Sequence, residues 1–194
     1  MRDMLPNNVQ PSIRGLLSSK KIVVLGPSGS GKTYLALRLS KLLSRELIHL
    51  DAHFWKPGWI STPQAEWRET VSRLVRSESW IMDGTYESTL DLRLPAADAV
   101  ILMNDWSFLR LYRVLIRRFG GGDKTRADAP PGQKLDIDYL RYIFFFSKIS
   151  GSIIANQLSR HGAGKVLMTL SGQRDVDRLL KQIEALIRRE GEKD

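Results

Sequence analysis

Short apolar runs alternate with longer amphipathic segments along most of the chain. Five of the runs are rich in β-branched and other apolar residues and have the length of buried strands. These runs are Lys21–Leu25, Glu46–Leu50, Trp80–Met82, Ala99–Met103 and Lys165–Leu170. Between the runs, apolar residues recur at helical spacing, as Leu35, Leu39 and Leu42 do. Strands that alternate with helices predict an α/β fold, with a parallel sheet of five strands covered by helices on both faces.

The amphipathic segments predict the covering helices. They span about residues Thr33–Ser44, Pro63–Arg76, Ser107–Phe119, Leu135–Arg160 and Asp175–Arg189. Residues 120–134 are rich in glycine, proline and charge, which predicts an exposed mobile loop, with a lid at about 119–134. Residues 1–19 hold two prolines and two asparagines and predict a loosely attached arm. The remaining residues, 20–194, are expected to form one domain.

A glycine-rich loop lies between the first strand and the first helix. It matches the phosphate-binding pattern G-x-x-x-x-G-K-[ST] at every specified position. The loop consists of Gly26, Pro27, Ser28, Gly29, Ser30, Gly31, Lys32 and Thr33. Glycines let successive backbone amides turn inward around an anion, and the helix N-terminus adds partial positive charge. The loop therefore predicts ATP or GTP binding, with Lys32 on the terminal phosphates and the Thr33 hydroxyl on Mg²⁺.

Three aspartates follow predicted strands, at the sheet edge where open α/β folds bind ligands. Asp83 is followed by Gly84, which permits close approach of a ligand, so Asp83 is predicted to organise the metal. For Asp51, a substrate role and a metal role both stay open. For Asp105, a helix cap or turn is the preferred interpretation.

Charge and composition narrow the class of protein. The formal net charge of +9 favours an anionic partner, either nucleotide phosphates or nucleic acid, although a solvated basic helix face is an alternative. The absence of cysteine excludes disulfides and thiolate chemistry. No run of about 18 apolar residues is present, so we expect a cytoplasmic protein without a membrane span.

Several segments resemble known kinases. The chain is similar to the adenylate-kinase-like branch of P-loop kinases and, more closely, to bacterial DNA topology modulation proteins of the FlaR type, which are predicted kinases. The matching segments are Gly26–Thr33, Leu50–Trp59, Trp80–Tyr86, Ser88–Asp98 and Leu135–Arg141. The first is shared by many families, whereas Trp80–Tyr86 and Thr89–Asp98 are far more particular.

The resemblance implies roles for individual residues. It implies that Asp83 organises the metal through water and that Arg113 and Arg117 are the two functional arginines of that family, one against the donor adenine and one on the phosphates. Ser171 matches the loop that passes the donor base, and Arg118 and Arg126 are candidate lid arginines by proximity.

The acceptor side departs from adenylate kinases. The Phe-Pro-Arg of that family is replaced by Thr85–Glu87, so the arginine that helps hold a monophosphate acceptor is missing, and Arg93 is a candidate substitute. Trp55 and Trp59 are candidates to line an acceptor pocket. Trp67 and Trp80, in contrast, are expected in the core.

The sequence therefore predicts Mg²⁺-dependent transfer of the ATP γ-phosphoryl group to a small acceptor. In that reaction, Lys32, Arg113 and Arg117 stabilise charge, and Asp51 orients or deprotonates an acceptor hydroxyl. Two alternatives stay open. One is an ATP-binding regulator of DNA topology with weak nucleic-acid binding, and the other is a simple NTPase switch.

Overall fold

The structure, a computed structural model, describes residues 13–104, 107–119 and 137–192, and gives the backbone alone for residues 107 and 117–119. Its main sheet has five parallel strands in the order β2–β5–β1–β6–β7. These strands are β1 (Lys21–Leu25), β2 (Glu46–His49), β5 (Trp80–Asp83), β6 (Ala99–Asn104) and β7 (Val166–Ser171). The fold class and the parallel sheet are therefore as predicted.

Strand β1 occupies the centre of the sheet, with β5 on one side and β6 on the other. Its four apolar residues, 22–25, are fully buried. Val23 and Leu25 contribute to one core cluster, and Ile22 and Val24 to the other. A strand with helices on both faces must be apolar at successive positions, which explains the continuous apolar run.

The predicted helical stretches lie close to their predicted positions, and the structure adds three short helices, over residues 13–18, 50–54 and 90–96, that were not predicted. Their bounds are α1 (Ile13–Ser18), α2 (Lys32–Leu43), α3 (Leu50–Phe54), α4 (Gln64–Leu74), α5 (Leu90–Ala96), α6 (Ser107–Phe119), α7 (Ile137–Ile149), α8 (Gly151–His161) and α9 (Gln173–Gly191). The helical stretch predicted over Leu135–Arg160 is two helices, because the chain turns at Ser150. Ser150 and Gly151 are small and buried, so they fit inside the junction.

Between β2 and β5 the structure departs from the prediction. The second strand ends at His49 instead of Leu50, and Leu50 begins the short helix α3. A small antiparallel hairpin follows, made of β3 (Trp55–Lys56) and β4 (Ile60–Ser61). Asp51 therefore lies in the first turn of a helix.

The N-terminal helix α1 differs from the loose arm predicted over residues 1–19. Leu16 is fully buried in the same core cluster as Leu179 and Ile183 of α9, so residues 13–18 are packed. Residues 1–12 lie outside the described residues, as does the predicted lid beyond Phe119. None of the described helices is long and apolar enough to cross a membrane.

Candidate active site

The glycine-rich loop joins β1 to α2 at the carboxyl edge of the sheet. Gly26 has φ 145° and Gly29 has φ 79°, backbone angles that residues other than glycine rarely adopt. A Cβ atom on Gly26 would lie 2.6 Å from the Met103 carbonyl oxygen, and one on Gly29 would lie 2.5 Å from the Arg110 carbonyl oxygen. The loop conformation and its close packing against neighbouring backbone therefore both require glycine.

Lys32 is held at the mouth of this loop. Its Nζ donates to the Pro27 carbonyl at 3.0 Å, and the Ser30 amide donates to the same carbonyl at 3.2 Å. The backbone amides of the first residues of α2 point out of the start of the helix, as at any helix N-terminus. The loop, the ammonium group and the helix N-terminus together form a concave site suited to phosphate.

Asp83, the last residue of β5, faces the start of α2. The Thr33 hydroxyl donates to Asp83 Oδ2 at 2.7 Å, and His49 Nδ1 lies 3.3 Å from the same oxygen. The other carboxylate oxygen, Oδ1, is buried without a hydrogen-bond partner among the described residues. A buried carboxylate oxygen beside a hydroxyl suits Mg²⁺, which prefers oxygen ligands.

Asp51 forms a second polar pair on the other side of β5. The Tyr86 hydroxyl donates to Asp51 Oδ1 at 2.6 Å. Burial is the main cause that raises the pKa of Tyr86, and the negative charge of Asp51 raises it further. The hydroxyl therefore keeps its proton and remains a donor. The Tyr86 ring packs against Phe54 and Trp67, with centroids 4.8 and 5.0 Å away. This packing fixes the direction of the hydroxyl.

Arg93 of α5 is fully buried and does not line the site. Its guanidinium donates to the Gly84 and Tyr86 carbonyls, each at 2.9 Å, and to the Thr85 carbonyl. Burial lowers the pKa of Arg93 to about 10, which still leaves it charged at neutral pH. The prediction that Arg93 contacts substrate is wrong, because the interior carbonyls of residues 84–86 engage its donors.

Thr85 connects the chain after β5 to the glycine-rich loop. Its hydroxyl donates to the Gly26 carbonyl at 2.7 Å and accepts from the Gly26 amide at 3.1 Å. The two walls of the site are therefore bonded directly to each other.

One cavity of about 580 Å³ contains both polar pairs. At its phosphate end it is lined by the glycine-rich loop, Lys32, Thr33, Asp83 and Arg113. At its other end it is lined by Asp51, Phe54, Trp55, Tyr86, Glu87, Tyr139 and Tyr142. The predicted candidates Lys32, Thr33, Asp51, Trp55, Asp83 and Arg113 thus meet in one place. Glu87, Tyr139 and Tyr142 were not predicted as site residues, although Glu87 and Tyr139 lie in segments that the sequence analysis compares with known kinases.

A second cavity, of about 640 Å³, is also lined by Arg113. Ser171 and Gly172, which follow β7, line it together with Phe108 of α6. The Arg113 guanidinium donates to the Gly29 carbonyl at 3.2 Å and lines both cavities. Arg113 therefore lies between the phosphate loop and the second cavity.

Comparison with solved structures assigns the fold. Shikimate kinase from Acinetobacter baumannii, in complex with shikimate, superposes with a TM-score of 0.59 and 17% identity over 92% of this chain and 98% of that one. Shikimate kinase from Bacteroides thetaiotaomicron superposes with a TM-score of 0.56 and 11% identity, over 88% of this chain and 99% of that one. Deoxyadenosine kinase from M. mycoides superposes with a TM-score of 0.51 and 13% identity, over 87% of this chain and 98% of that one. The chain has the P-loop kinase fold.

Sequence comparison says less about this chain than structural comparison does. No family model matches the chain. A segment of 103 residues is 32% identical to the ATPase subunit HslU of an ATP-dependent protease from Oleidesulfovibrio alaskensis, covering 47% of this chain and 23% of that protein. The match spans less than a quarter of HslU. The resemblance to adenylate kinases and to FlaR-type proteins stays a prediction.

Within the P-loop kinase fold, the remaining candidates have different outcomes. Arg117 and Arg118 belong to helix α6, but their side chains lie outside the described residues, as does all of Arg126. Asp105 lies outside them too.

Trp67 and Trp80 are fully buried, as predicted for core residues. The Trp55 ring contacts that of Trp59, with centroids 5.2 Å apart.

The buried position of Arg93 leads to a stability prediction. Substitution Arg93→Met keeps the apolar stem but leaves the carbonyls of residues 84–86 without their donor. We expect the free energy of unfolding, measured by urea denaturation, to fall by about 3 kcal/mol or more. Arg73→Met on the exposed face of α4 is the matched control and should change it by less than about 0.5 kcal/mol. Equal, small effects of the two substitutions would contradict the structural role of Arg93.

Proposed function

We propose that the protein is a Mg²⁺-dependent kinase that transfers the γ-phosphoryl group of ATP to a hydroxyl group of a small acceptor. One observation carries the proposal: the phosphate loop with its Thr33–Asp83 pair and the Asp51–Tyr86 pair open into the same cavity. A protein that only binds or hydrolyses nucleotide has no need of the second pair. Two structural neighbours are a shikimate kinase and a deoxyadenosine kinase, which supports a small acceptor.

The chain supplies positive charge where phosphoryl transfer develops negative charge. Lys32 and the α2 N-terminus would hold the β- and γ-phosphates, and Arg113 would neutralise charge from the α6 side. The second cavity, beside Ser171, would take the donor base. Catalysis of this kind consists mainly of positioning and electrostatic stabilisation.

Mg²⁺ would be held by Thr33 and Asp83. Asp83 Oδ1, which is buried and has no hydrogen-bond partner in the described part of the chain, supports this assignment. In the described part of the chain, no three His, Cys, Asp or Glu residues form a metal-binding group, which fits an ion that takes its other ligands from phosphate and water. When bound, the ion neutralises phosphate charge.

Asp51 would act on the acceptor hydroxyl. The acceptor oxygen forms a bond to the γ-phosphorus, the bond from that phosphorus to the β–γ bridging oxygen breaks, and ADP leaves. The hydroxyl proton passes to the Asp51 carboxylate, which the Tyr86 hydroxyl keeps in position.

Acceptor-dependent release of ADP tests the proposal. A screen of nucleosides, nucleotides, sugars and shikimate should find at least one compound that stimulates ADP release and is itself phosphorylated. Hydrolysis of ATP that no acceptor alters would instead indicate an NTPase switch. Tight, salt-dependent DNA binding without phosphoryl transfer would indicate the DNA-associated alternative.

Asp83→Asn should act through the metal rather than through folding. The amide keeps the size of the side chain but removes the negative charge. We expect the melting temperature of the protein without ligand to stay unchanged and the stabilisation by Mg-ATP to weaken markedly. Stabilisation by ATP in EDTA should be equal in variant and wild type. A large loss of stability without ligand would make Asp83 a structural residue.

A further inference from the structure

We infer that the acceptor is an uncharged alcohol with a flat ring, of the nucleoside kind, and not a phosphate monoester or a carboxylate. The inference rests on the proposed kinase function and specifies the substrate class of the same cavity. Three features of the cavity carry it: where the cations lie, where the carboxylates lie and how many aromatic rings surround the end lined by Asp51 and Tyr86, here called the acceptor end.

Among the described residues that line the cavity, the lysine and arginine side chains belong to its phosphate end. Of the described residues that line it, Lys32 and Arg113 are the lysine and arginine. Each is bonded to a carbonyl of the phosphate loop, Lys32 to Pro27 and Arg113 to Gly29. Recognition of a second phosphate or of a carboxylate normally uses arginine or lysine. Arg93, which lies near the acceptor wall, is buried behind it with its donors on backbone carbonyls.

The charged side chains described at the lining of the acceptor end are negative, while the positive charge of Arg93 lies behind the wall. Asp51, which accepts a hydrogen bond from the Tyr86 hydroxyl, and Glu87, which follows Tyr86 in the chain, both line this end. Glu87 begins the 3₁₀ turn Glu87–Thr89 and accepts from the Tyr142 hydroxyl at 3.5 Å. An anionic acceptor would approach these carboxylates, and in a partly enclosed cavity the repulsion is screened less than in water. An acceptor with hydrogen-bond donors, such as hydroxyl or amino groups, would satisfy them instead.

Aromatic rings supply the remaining surface of this end. Phe54, Trp55 and Tyr86 form a contiguous group, with Phe54 centroids 4.9 Å from Trp55 and 4.8 Å from Tyr86. Tyr139 and Tyr142 of α7 complete the lining. Ring faces and edges favour contact with a flat, polarisable body, as in stacking on a base. A small sugar without a ring of this kind would leave much of that surface uncovered.

A paired panel tests the inference on the full chain with Mg-ATP. Adenosine, cytidine, uridine and thymidine are compared with their 5′-monophosphates, with shikimate and with D-glucose. At least one nucleoside should have a kcat/KM about tenfold or more above that of its own monophosphate, of shikimate and of glucose. A monophosphate or shikimate used as well as any nucleoside would overturn the inference and leave the kinase proposal intact. Preference for glucose would overturn the flat-ring part.

Charge reversal at Glu87 adds a second readout. Glu87→Lys places a cation at the acceptor end, so the ratio of kcat/KM for nucleoside over monophosphate should fall by about tenfold or more. Glu69→Lys, on the exposed face of α4, makes the same charge change away from the cavity and should leave the ratio unchanged. An unchanged ratio in the Glu87 variant, with the fold intact by circular dichroism, would contradict the role of the acceptor-end charge.

Failure of the kinase proposal is distinguishable from failure of this inference. If no compound accepts phosphate, the kinase proposal falls, and thermal stabilisation by the same panel then decides the binding question. Stabilisation by a nucleoside but not by its monophosphate would support the inference. Equal stabilisation by both, or none by any nucleoside, would overturn it.

Discussion

Lys32→Ala is expected to lower turnover at saturating Mg-ATP and acceptor by at least about a hundredfold. The substitution removes the ammonium group from the mouth of the phosphate loop, while the glycines and the α2 N-terminus keep their backbone amides in place. The loss should be comparable to removing one strong donor to the transition state. Steady-state kinetics with the best acceptor from the screen would measure it.

Lys41→Ala is the matched control for this prediction. Lys41 lies in the last turn of the same helix and is exposed, so its removal takes away one positive charge far from the loop. Turnover of that variant should stay within about twofold of wild type. If Lys32→Ala turned over as fast as this control, Lys32 would have no role in transfer.

Asp51→Asn is expected to lower kcat by about 10²–10⁴-fold with little change in ATP affinity. An amide of the same size cannot take the acceptor proton, and the phosphate loop on the other side of the cavity is left unaltered. Tyr86→Phe, which removes the 2.6 Å hydrogen bond to Asp51, should give a smaller fall in kcat, because the carboxylate is still present but less well oriented.

The surface substitution Asp177→Asn controls for the loss of an acidic charge, since Asp177 is exposed on α9. Its kcat should equal that of wild type. A fall in ATP hydrolysis without acceptor that matched the fall in transfer would place Asp51 on the nucleotide instead of the acceptor. Normal transfer in Asp51→Asn would remove Asp51 from the mechanism.

The sheet and the phosphate end of the site were predictable because their signals are local. Each central strand is buried on both faces, so its residues form an apolar run that the sequence displays directly. The glycine pattern likewise reflects φ angles and close contacts within one short loop. Asp83 could be expected at this edge, because the carboxyl ends of parallel strands meet there.

The acceptor end was harder to predict because its parts meet only through tertiary packing. Tyr139 and Tyr142 come from a helix more than 80 residues after Asp51 in the chain. Arg93 looked like a substrate ligand, since charged side chains are rarely buried in full. Its true partners are carbonyls 7 to 9 residues earlier, and no sequence periodicity indicates such a contact. The charge of a side chain predicted that it needed partners but not which ones.

The buried guanidinium of Arg93 has a consequence for the entropy of acceptor binding. Because it holds three successive carbonyls, and because Thr85 is bonded to Gly26 on both its donor and acceptor sides, this wall of the cavity is built during folding. An acceptor that binds there does not have to immobilise a loop, which is a cost that commonly weakens association. The wall is preorganised, and the affinity of an acceptor should reflect its contacts with little conformational penalty from residues 84–86.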